Sequence, residues 1–343
     1  MKYTLLPGTS IKVSKICLGT MTWGEQNNEE EGHEQIYYAL DQGVNFIDTA
    51  ELYAVPAKKE TQGRTEEIIG TWFRKNKKRE DIVLATKIAG PADFTKHIRT
   101  GGFKKEELAD AINKSLKRLQ TDYIDLYQLH WPERQTNFFG KRGYAHDKNE
   151  EWEDNFNQIL EDLNSFIKEG KIRHIGVSNE TAYGISRYVE EARKEMPKIV
   201  TVQNPYNLLN RKDEIGLTEI LHRENVGYLP YSPLGFGMLS GKYLEKTPQD
   251  SRYALFPNFD RYMNDNCYEA TRRYLEIAKN VNLSLTELSL AFINQQPFVT
   301  SMIIGATKMV QLKENIGSIQ KELSKETLEA IDKVHENIPN PAP

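Results

Sequence analysis

Short runs of apolar, β-favouring residues recur along this chain, and each is followed by a longer stretch whose apolar positions fall three and four apart. The short runs are Ile16-Cys17-Leu18, Phe46-Ile47, Ile82 to Ala85, Ile124 to Leu129, Ile172 to Val177, Ile199 to Val202, Val226 to Leu229 and Met302 to Ile304. The helical period occupies His33 to Leu40, Thr65 to Phe73, Leu108 to Leu119, Phe156 to Ile167, Ala182 to Ala192, Ile215 to His222 and Tyr268 to Ala278. Strand and helix in alternation predict βαβ units and a parallel sheet whose faces the helices cover. Eight strands with seven helical stretches between them in 343 residues fit an α/β (β/α)8 TIM barrel better than a doubly wound sheet, which carries fewer strands and a glycine-rich first turn.

No Pro/Gly/Ser-rich linker divides the chain, which predicts a single domain over 1–343 with a few additions. Residues 1–13 form a hairpin that turns at Pro7-Gly8 and caps the barrel floor, and residues 322–343 form a C-terminal helix and tail. Two long segments, Trp131 to Trp152 after the fourth strand and Ser232 to Asn266 after the seventh, interrupt the alternation. Loops of this length are uncommon in compact domains and often carry function.

Charge narrows the partners. The 45 Lys and Arg against 49 Asp and Glu leave a net charge of −4, and the longest basic run is Lys77-Lys78-Arg79. That is no footprint for nucleic acid. No apolar segment approaches the ~18 residues of a membrane span, and Met1 to Pro7 has no apolar core of a secretory signal. The two cysteines, Cys17 and Cys267, make neither a disulfide framework nor a metal cluster. A reducing cytoplasm and a small-molecule partner are the expectation, with the oligomeric state left open.

Candidate chemistry gathers where the strands end. The second ends in Asp48, the third in Lys87, the fourth in His130, the fifth in Ser178-Asn179, the sixth in Gln203-Asn204 and the seventh in Tyr231-Ser232. In a barrel these positions converge on the mouth where active sites of this fold sit. A polar residue at any one of them could simply begin a loop. Lys87 and His130 are the exceptions to that reading, because each closes a strongly apolar run. With Tyr53 nearby, the set makes chemical sense. A phenol titrates near ~10 and is a poor acid at neutral pH. An ammonium beside it lowers that value, and a carboxylate holds the ammonium in place. A neutral His130 would donate a hydrogen bond to the same substrate oxygen. Asp48, Tyr53, Lys87 and His130 together are suited to polarise and protonate a carbonyl.

These residues belong to longer motifs. They include Gly19-Thr20-Met21, Asn45-Phe46-Ile47-Asp48-Thr49-Ala50-Glu51-Leu52-Tyr53, Thr86-Lys87, Asp125-Leu126-Tyr127-Gln128-Leu129-His130-Trp131 and Ile175-Gly176-Val177-Ser178-Asn179. Gln203-Asn204-Pro205-Tyr206-Asn207, Tyr231-Ser232-Pro233-Leu234, Leu239-Ser240-Gly241-Lys242-Tyr243 and Glu314-Asn315 follow in order. In this the chain resembles an aldo-keto reductase from Ile16 to Asn315, and Val55 to Gly63, Phe139-Gly140-Lys141 and Pro341-Ala342-Pro343 resemble the bacterial Tas-type branch of that family.

The resemblance implies NADP-dependent reduction of an aldehyde or ketone, with Tyr53 as proton donor, Lys87 and Asp48 tuning it and His130 orienting the carbonyl. It implies that Gly19, Thr20, Met21 and Asp48 border the cofactor, that Ser178, Asn179 and Gln203 hold the nicotinamide carboxamide, and that Tyr231 stacks on the ring. It places Ser232-Pro233-Leu234-Gly235-Phe236-Gly237-Met238-Leu239-Ser240-Gly241-Lys242-Tyr243-Leu244 over the pyrophosphate, and Arg252, Gly305, Ala306, Thr307, Gln311, Glu314 and Asn315 at the adenosine end. Many relatives carry a basic residue where Gly305 and Gln311 stand. Arg252, with Lys308, is left as the charge that favours NADP over NAD. Trp23 and Trp131, beside Tyr53 and His130, are expected to line the substrate pocket, as are the loop aromatics Phe138, Phe139 and Tyr144.

Other motifs fail on spacing. Gly235 to Gly241 has one residue too many for G-x-G-x-x-G, Lys242 is followed by Tyr243 where a P-loop needs Ser or Thr, and Gly176 to Glu180 lacks the last glycine of a nucleophile elbow. The histidines show no metal spacing. Two rivals to the reductase stand. One is an NADP-binding redox-sensing regulatory subunit with slow turnover, as in the potassium-channel β subunits of the same superfamily. The other is a lyase or isomerase forming a Schiff base on Lys87, against which Asp48 argues, because a paired, charged lysine is a poor nucleophile.

Overall fold

A computed structural model describes residues 1–342. A two-stranded hairpin comes first, β1 (Tyr3–Leu5) against β2 (Lys12–Ser14). Eight parallel strands follow: β3 (Ile16–Gly19), β4 (Phe46–Asp48), β5 (Val83–Ile88), β6 (Ile124–Leu129), β7 (Ile172–Ser178), β8 (Ile199–Gln203), β9 (Gly227–Tyr228) and β10 (Met302–Ile304). From β3 to β9 each pairs with the next in order, and β10 pairs with β3. The ring is closed on its last side by Thr300 N–H to Tyr228 O and Ile303 N–H to Pro230 O, both 2.9 Å. The architecture is the expected (β/α)8 barrel.

Helices wrap it: α1 (Glu29–Asp41), α2 (Arg64–Asn76), α3 (Lys105–Leu119), α4 (Phe156–Lys168), α5 (Ala182–Ala192), α6 (Leu217–Arg223), α7 (Arg252–Leu255), α8 (Asp265–Asn280), α9 (Leu285–Gln295), α10 (Met309–Gly317) and α11 (Lys325–Asn337). Their starts are written locally. Asn28 caps α1 and Ser284 caps α9, each with a glutamate three residues on that returns a bond to the cap backbone. Between helices and strands lies the main core, which includes Trp72, Leu84, Leu108, Tyr127, Leu160 and Ile175. Helices α2 and α3 approach closely at Gly70, where an added Cβ would fall 2.1 Å from the Arg118 carbonyl oxygen.

The barrel interior is layered. Cys17, Phe46, Ala85, Leu126 and Ile303 make an apolar layer, and Leu6 and Val13 of the hairpin plug it from below. Side chains on a strand alternate between its faces, so residues two positions on share that interior. They are Gly19, Asp48, Lys87 and Gln128. The upper layer is therefore polar and buried: Asp48, Lys87 and Gln128 are each almost wholly enclosed.

Several expectations need adjusting. Strand β5 runs three residues beyond Ala85, so Lys87 lies within the strand and not after it. Tyr231 follows β9 at a distance and is held by a bridge to Pro205. The segment after β9 is not featureless, for it holds a 3-10 turn at Gly235–Ser240 as well as α7. Helix α9 carries no periodic signal because nearly every residue in it is buried, which leaves no polar face to alternate with. Helix α10, of nine residues, is a further element outside the predicted set. No helix among the described residues is long and apolar enough to cross a membrane.

Candidate active site

A cavity of about 890 Å³ opens at the C-terminal ends of the strands. Small-molecule sites span roughly 300–1,000 Å³, so this one is large. At its base the Lys87 ammonium donates to Asp48 Oδ1 at 2.5 Å and to the Thr49 carbonyl at 2.7 Å. The second carboxylate oxygen accepts from Gln203 Nε2 at 2.8 Å and Gln128 Nε2 at 3.1 Å. Asp48 is thereby locked by three side chains on three different strands. The ammonium stands 5.1 Å from the centroid of the Tyr53 ring, and the His130 ring meets Tyr53 edge-on at 5.7 Å. All four expected catalytic residues thus come together at the base.

The electrostatics differ from the simple expectation for Tyr53. Burial pushes its phenol up, with the Asp48 carboxylate adding to the rise, and only Arg252 acts downward. The lysine, paired with Asp48, does not offset that rise. Tyr53 therefore keeps its proton at neutral pH. His130 moves the other way: burial, then the nearby Lys87 charge, hold it well below the ordinary histidine value. The imidazole is neutral, and its Nδ1 is buried without a hydrogen-bond partner among the described residues.

Around the base runs a ring of amides and hydroxyls. Asn179, with a left-handed φ of 53°, turns its side chain inward. Its Nδ2 donates to the His130 carbonyl at 2.9 Å and its Oδ1 accepts from the Tyr231 hydroxyl at 2.6 Å. Ser178 Oγ donates to the Gln203 carbonyl at 2.8 Å. The segment before Tyr53 is anchored by Glu51, which accepts from Arg99 and from the Ala89 amide at 2.6 Å.

Most residues assigned to the cofactor line this cavity. Gly235, Met238, Leu239, Gly241, Tyr243 and Leu244 do not. Met238 and Leu239 turn into the core instead, while Gly237, at a φ of 96°, lets the chain carry Phe236 and Ser240 back to the cavity. At the far end Gln311 accepts from the Thr307 and Lys308 amides, Asn315 donates to the Gly305 carbonyl, and Glu314 accepts from Ser284 at 2.6 Å. Lys308 is engaged by Asp250. Arg252 packs over the Phe236 ring at 5.0 Å, and the groups whose charge acts on it are the phenols of Tyr243, Tyr53 and Tyr262, with no carboxylate among them. The loop aromatics divide: Phe139 lines the cavity, Phe138 stacks on Trp131 at 6.2 Å, and Tyr144 is exposed.

Trp23 and Trp131 lie outside the lining. The Trp23 indole is fully buried and donates to Gln35 Oε1 at 3.2 Å, while Trp131 sits behind His130 and donates to the Pro91 carbonyl. Val55, Pro56 and Ala57, from the stretch that carries the branch resemblance, also form a wall, and Phe94 and Arg261 are walls that sequence reasoning did not name. They stand on irregular segments, where no period indicates which way a side chain points. Arg134, also unnamed, forms a two-pronged ion pair with Glu180 and ties the excursion after β6 to the end of β7.

Comparison with known proteins agrees with this geometry. The chain is 47% identical to "Protein tas" of Escherichia coli (strain K12), with all of both chains covered. It is 30% identical to "Uncharacterized oxidoreductase YrpG" of Bacillus subtilis (strain 168), over 97% of this chain and 96% of that one. It is also 30% identical to a "Probable voltage-gated potassium channel subunit beta" of Arabidopsis thaliana, over 93% and 91%. The model of the aldo/keto reductase family matches residues 15–336. This chain, an oxidoreductase of the Tas-type branch, belongs to the aldo/keto reductase family.

Proposed function

We propose that the protein reduces an aldehyde or ketone to an alcohol, with NADPH as reductant and the Tyr53 hydroxyl as proton source. The observation that carries this reading is the buried Lys87–Asp48 pair beneath a protonated Tyr53 and beside a neutral His130. The carbonyl oxygen of a substrate seated there has two partners, the phenol and the imidazole. Both are preorganised at the enclosed base of the cavity, where hydrogen bonds to developing charge count most.

When bound, the dihydronicotinamide supplies a hydride to the carbonyl carbon. The C–O π electrons collect on oxygen, and Tyr53 passes its proton to that oxygen. The resulting phenolate is stabilised by the nearby Lys87 ammonium and regains a proton from solvent. Asp48 holds the ammonium where the phenolate needs it, and Gln128 and Gln203 keep Asp48 from turning.

Lys242 and Arg252 line the cavity, and among the described residues neither is held in an ion pair of the kind that joins Lys308 to Asp250. Such a set suits an anionic dinucleotide, even in a chain of net charge −4. Arg252 is the charge we assign to a 2′-phosphate, which makes NADP the preferred form. The main core draws on residues from Ile16 to Ala342, in support of one barrel domain over 1–343, and two unpaired, buried thiols suit a reducing cytoplasm.

A sensor that binds NADP and turns over slowly is the second reading, and the likeness to the Arabidopsis channel subunit favours it. NADPH fluorescence quenching followed by turnover of aromatic aldehydes separates the two. Quenching with turnover supports the reductase, and quenching without it supports the sensor.

A further inference from the structure

The cavity carries one cation that the cofactor reading does not use. Lys242 lies against the backbone of Gly237, and Arg252 stands at the start of α7 over the Phe236 ring. Both belong to the segments assigned to phosphates. Arg261 comes nine positions after Arg252, outside those segments. Its guanidinium is 5.4 Å from the Phe236 centroid, and its Nη1 is buried without a hydrogen-bond partner. No carboxylate of the described residues pairs with it.

What Arg261 touches places it at the substrate end. A Cβ on Gly140 would fall 2.8 Å from Arg261 Nε, so the side chain crosses the mouth from the excursion after β9 and rests on the one after β6. The residue before Gly140 is Phe139, whose ring meets the His130 ring edge-on at 6.3 Å. On the other flank are the phenols of Tyr231 and Tyr262. Burial raises both, and the charge of Arg261, with its hydrogen bonding to each phenol, works against that rise. The side chain thus rests on the neighbour of Phe139, whose ring meets the histidine that would face the carbonyl, in a wall that also holds Tyr231 and Phe236.

Burying one arm of a guanidinium, here Nη1, with no partner is unfavourable unless an anion arrives to meet it. We propose that Arg261 binds a carboxylate of the substrate, so that the preferred substrates are anionic aldehydes or ketones, aromatic ones fitting the ring-lined wall. This rests on the carbonyl-reduction reading above. The fork of the guanidinium suits a carboxylate held by two bonds, and a charge-assisted pair of this kind discriminates against a neutral analogue by about 10–100-fold.

The test compares 4-carboxybenzaldehyde with benzaldehyde, using NADPH, in the wild type and in Arg261→Met and Arg261→Lys. The quantity read is the ratio of the two kcat/KM values. We expect a ratio of about 10–100 in the wild type, a ratio near unity in Arg261→Met, and an intermediate one in Arg261→Lys, with the change falling in KM. A wild-type ratio near unity overturns the proposal, and so does a ratio that survives in Arg261→Met. A surviving ratio with weakened NADPH binding would assign Arg261 to the cofactor phosphates.

Benzoate and benzamide binding to the NADP-loaded protein, followed by calorimetry, serves as the second readout. If the wild type reduces neither aldehyde, the carbonyl-reduction reading fails, and binding alone then decides. Benzoate binding that is lost in Arg261→Met upholds the anion site. Equal binding to both proteins overturns it.

Discussion

Lys87 and Asp48 meet at 2.5 Å in the upper layer of the barrel, fully enclosed, because the register of β4 against β5 sets Asp48 opposite Ala85, two residues short of Lys87 on the same face. Neither charge has water to fall back on. Removing one partner of a buried pair leaves the other uncompensated, at about 3–5 kcal/mol. We therefore expect Lys87→Met to lower stability by about that much in urea denaturation. The double variant Lys87→Met with Asp48→Asn should regain most of the stability and none of the activity. A single variant as stable as the wild type would show that the pair is not buried as described.

Tyr53→Phe removes the proposed proton donor and little else, since no group among the described residues depends on the hydroxyl for a strong hydrogen bond. Carbonyl reduction should fall by about 10²–10⁴-fold in kcat. NADPH affinity, read by fluorescence titration, should change less than about twofold, because the hydroxyl acts on the transition state. Full activity in this variant would end the proposed mechanism.

Arg252→Ala separates the two nicotinamide cofactors. The guanidinium has a 2′-phosphate to bind in NADPH and none in NADH. Its loss should weaken NADPH by about 10–100-fold, as for a charged hydrogen-bonded pair, and leave NADH almost as it was. Equal weakening of both, in parallel titrations, would assign Arg252 to the pyrophosphate.

The pH profile follows from the opposite shifts of the two site groups. His130 is held below 6.5, so lowering the pH through that value should not protonate it, and kcat should stay level there. Decline begins only at more acid pH, when the ring takes a proton. Tyr53 is raised above 10, so the donor stays loaded at alkaline pH. A stopped-flow profile with an inflection near 6.5 that disappears in His130→Gln would contradict this assignment.

Gly70→Ala tests the helix packing that supports the site from outside. Its Cβ would fall 2.1 Å from the Arg118 carbonyl oxygen, so α2 and α3 must part. Overpacking of this kind lowers stability by about 1–3 kcal/mol. A thermal melt should show the loss, with kcat of the folded enzyme unaltered.

The order of strands and helices, and the residues at the strand ends, were legible in the sequence because both obey a period. An apolar strand of a parallel sheet stands out as a run, and alternation along it tells which residues share the interior. Asp48, Lys87 and His130 could be placed at one mouth on that ground alone. The 3.6-residue period failed at α9, where burial on every side erased the contrast it depends on.

Tertiary structure decided three other things. Trp23 and Trp131 left the pocket for the core and the space behind His130, because their rings find apolar cover and a carbonyl or amide partner there. Tyr53 proved harder to ionise than its lysine neighbour suggests, since desolvation depends on everything packed around a group and outweighs one partner already claimed by Asp48. Arg261 entered the site from an irregular excursion, brought against Gly140 by contacts between segments more than a hundred residues apart in sequence. A chain's periodicity specifies which face a residue occupies on a regular element. Where the backbone is irregular, only the packing of distant segments determines what a side chain meets.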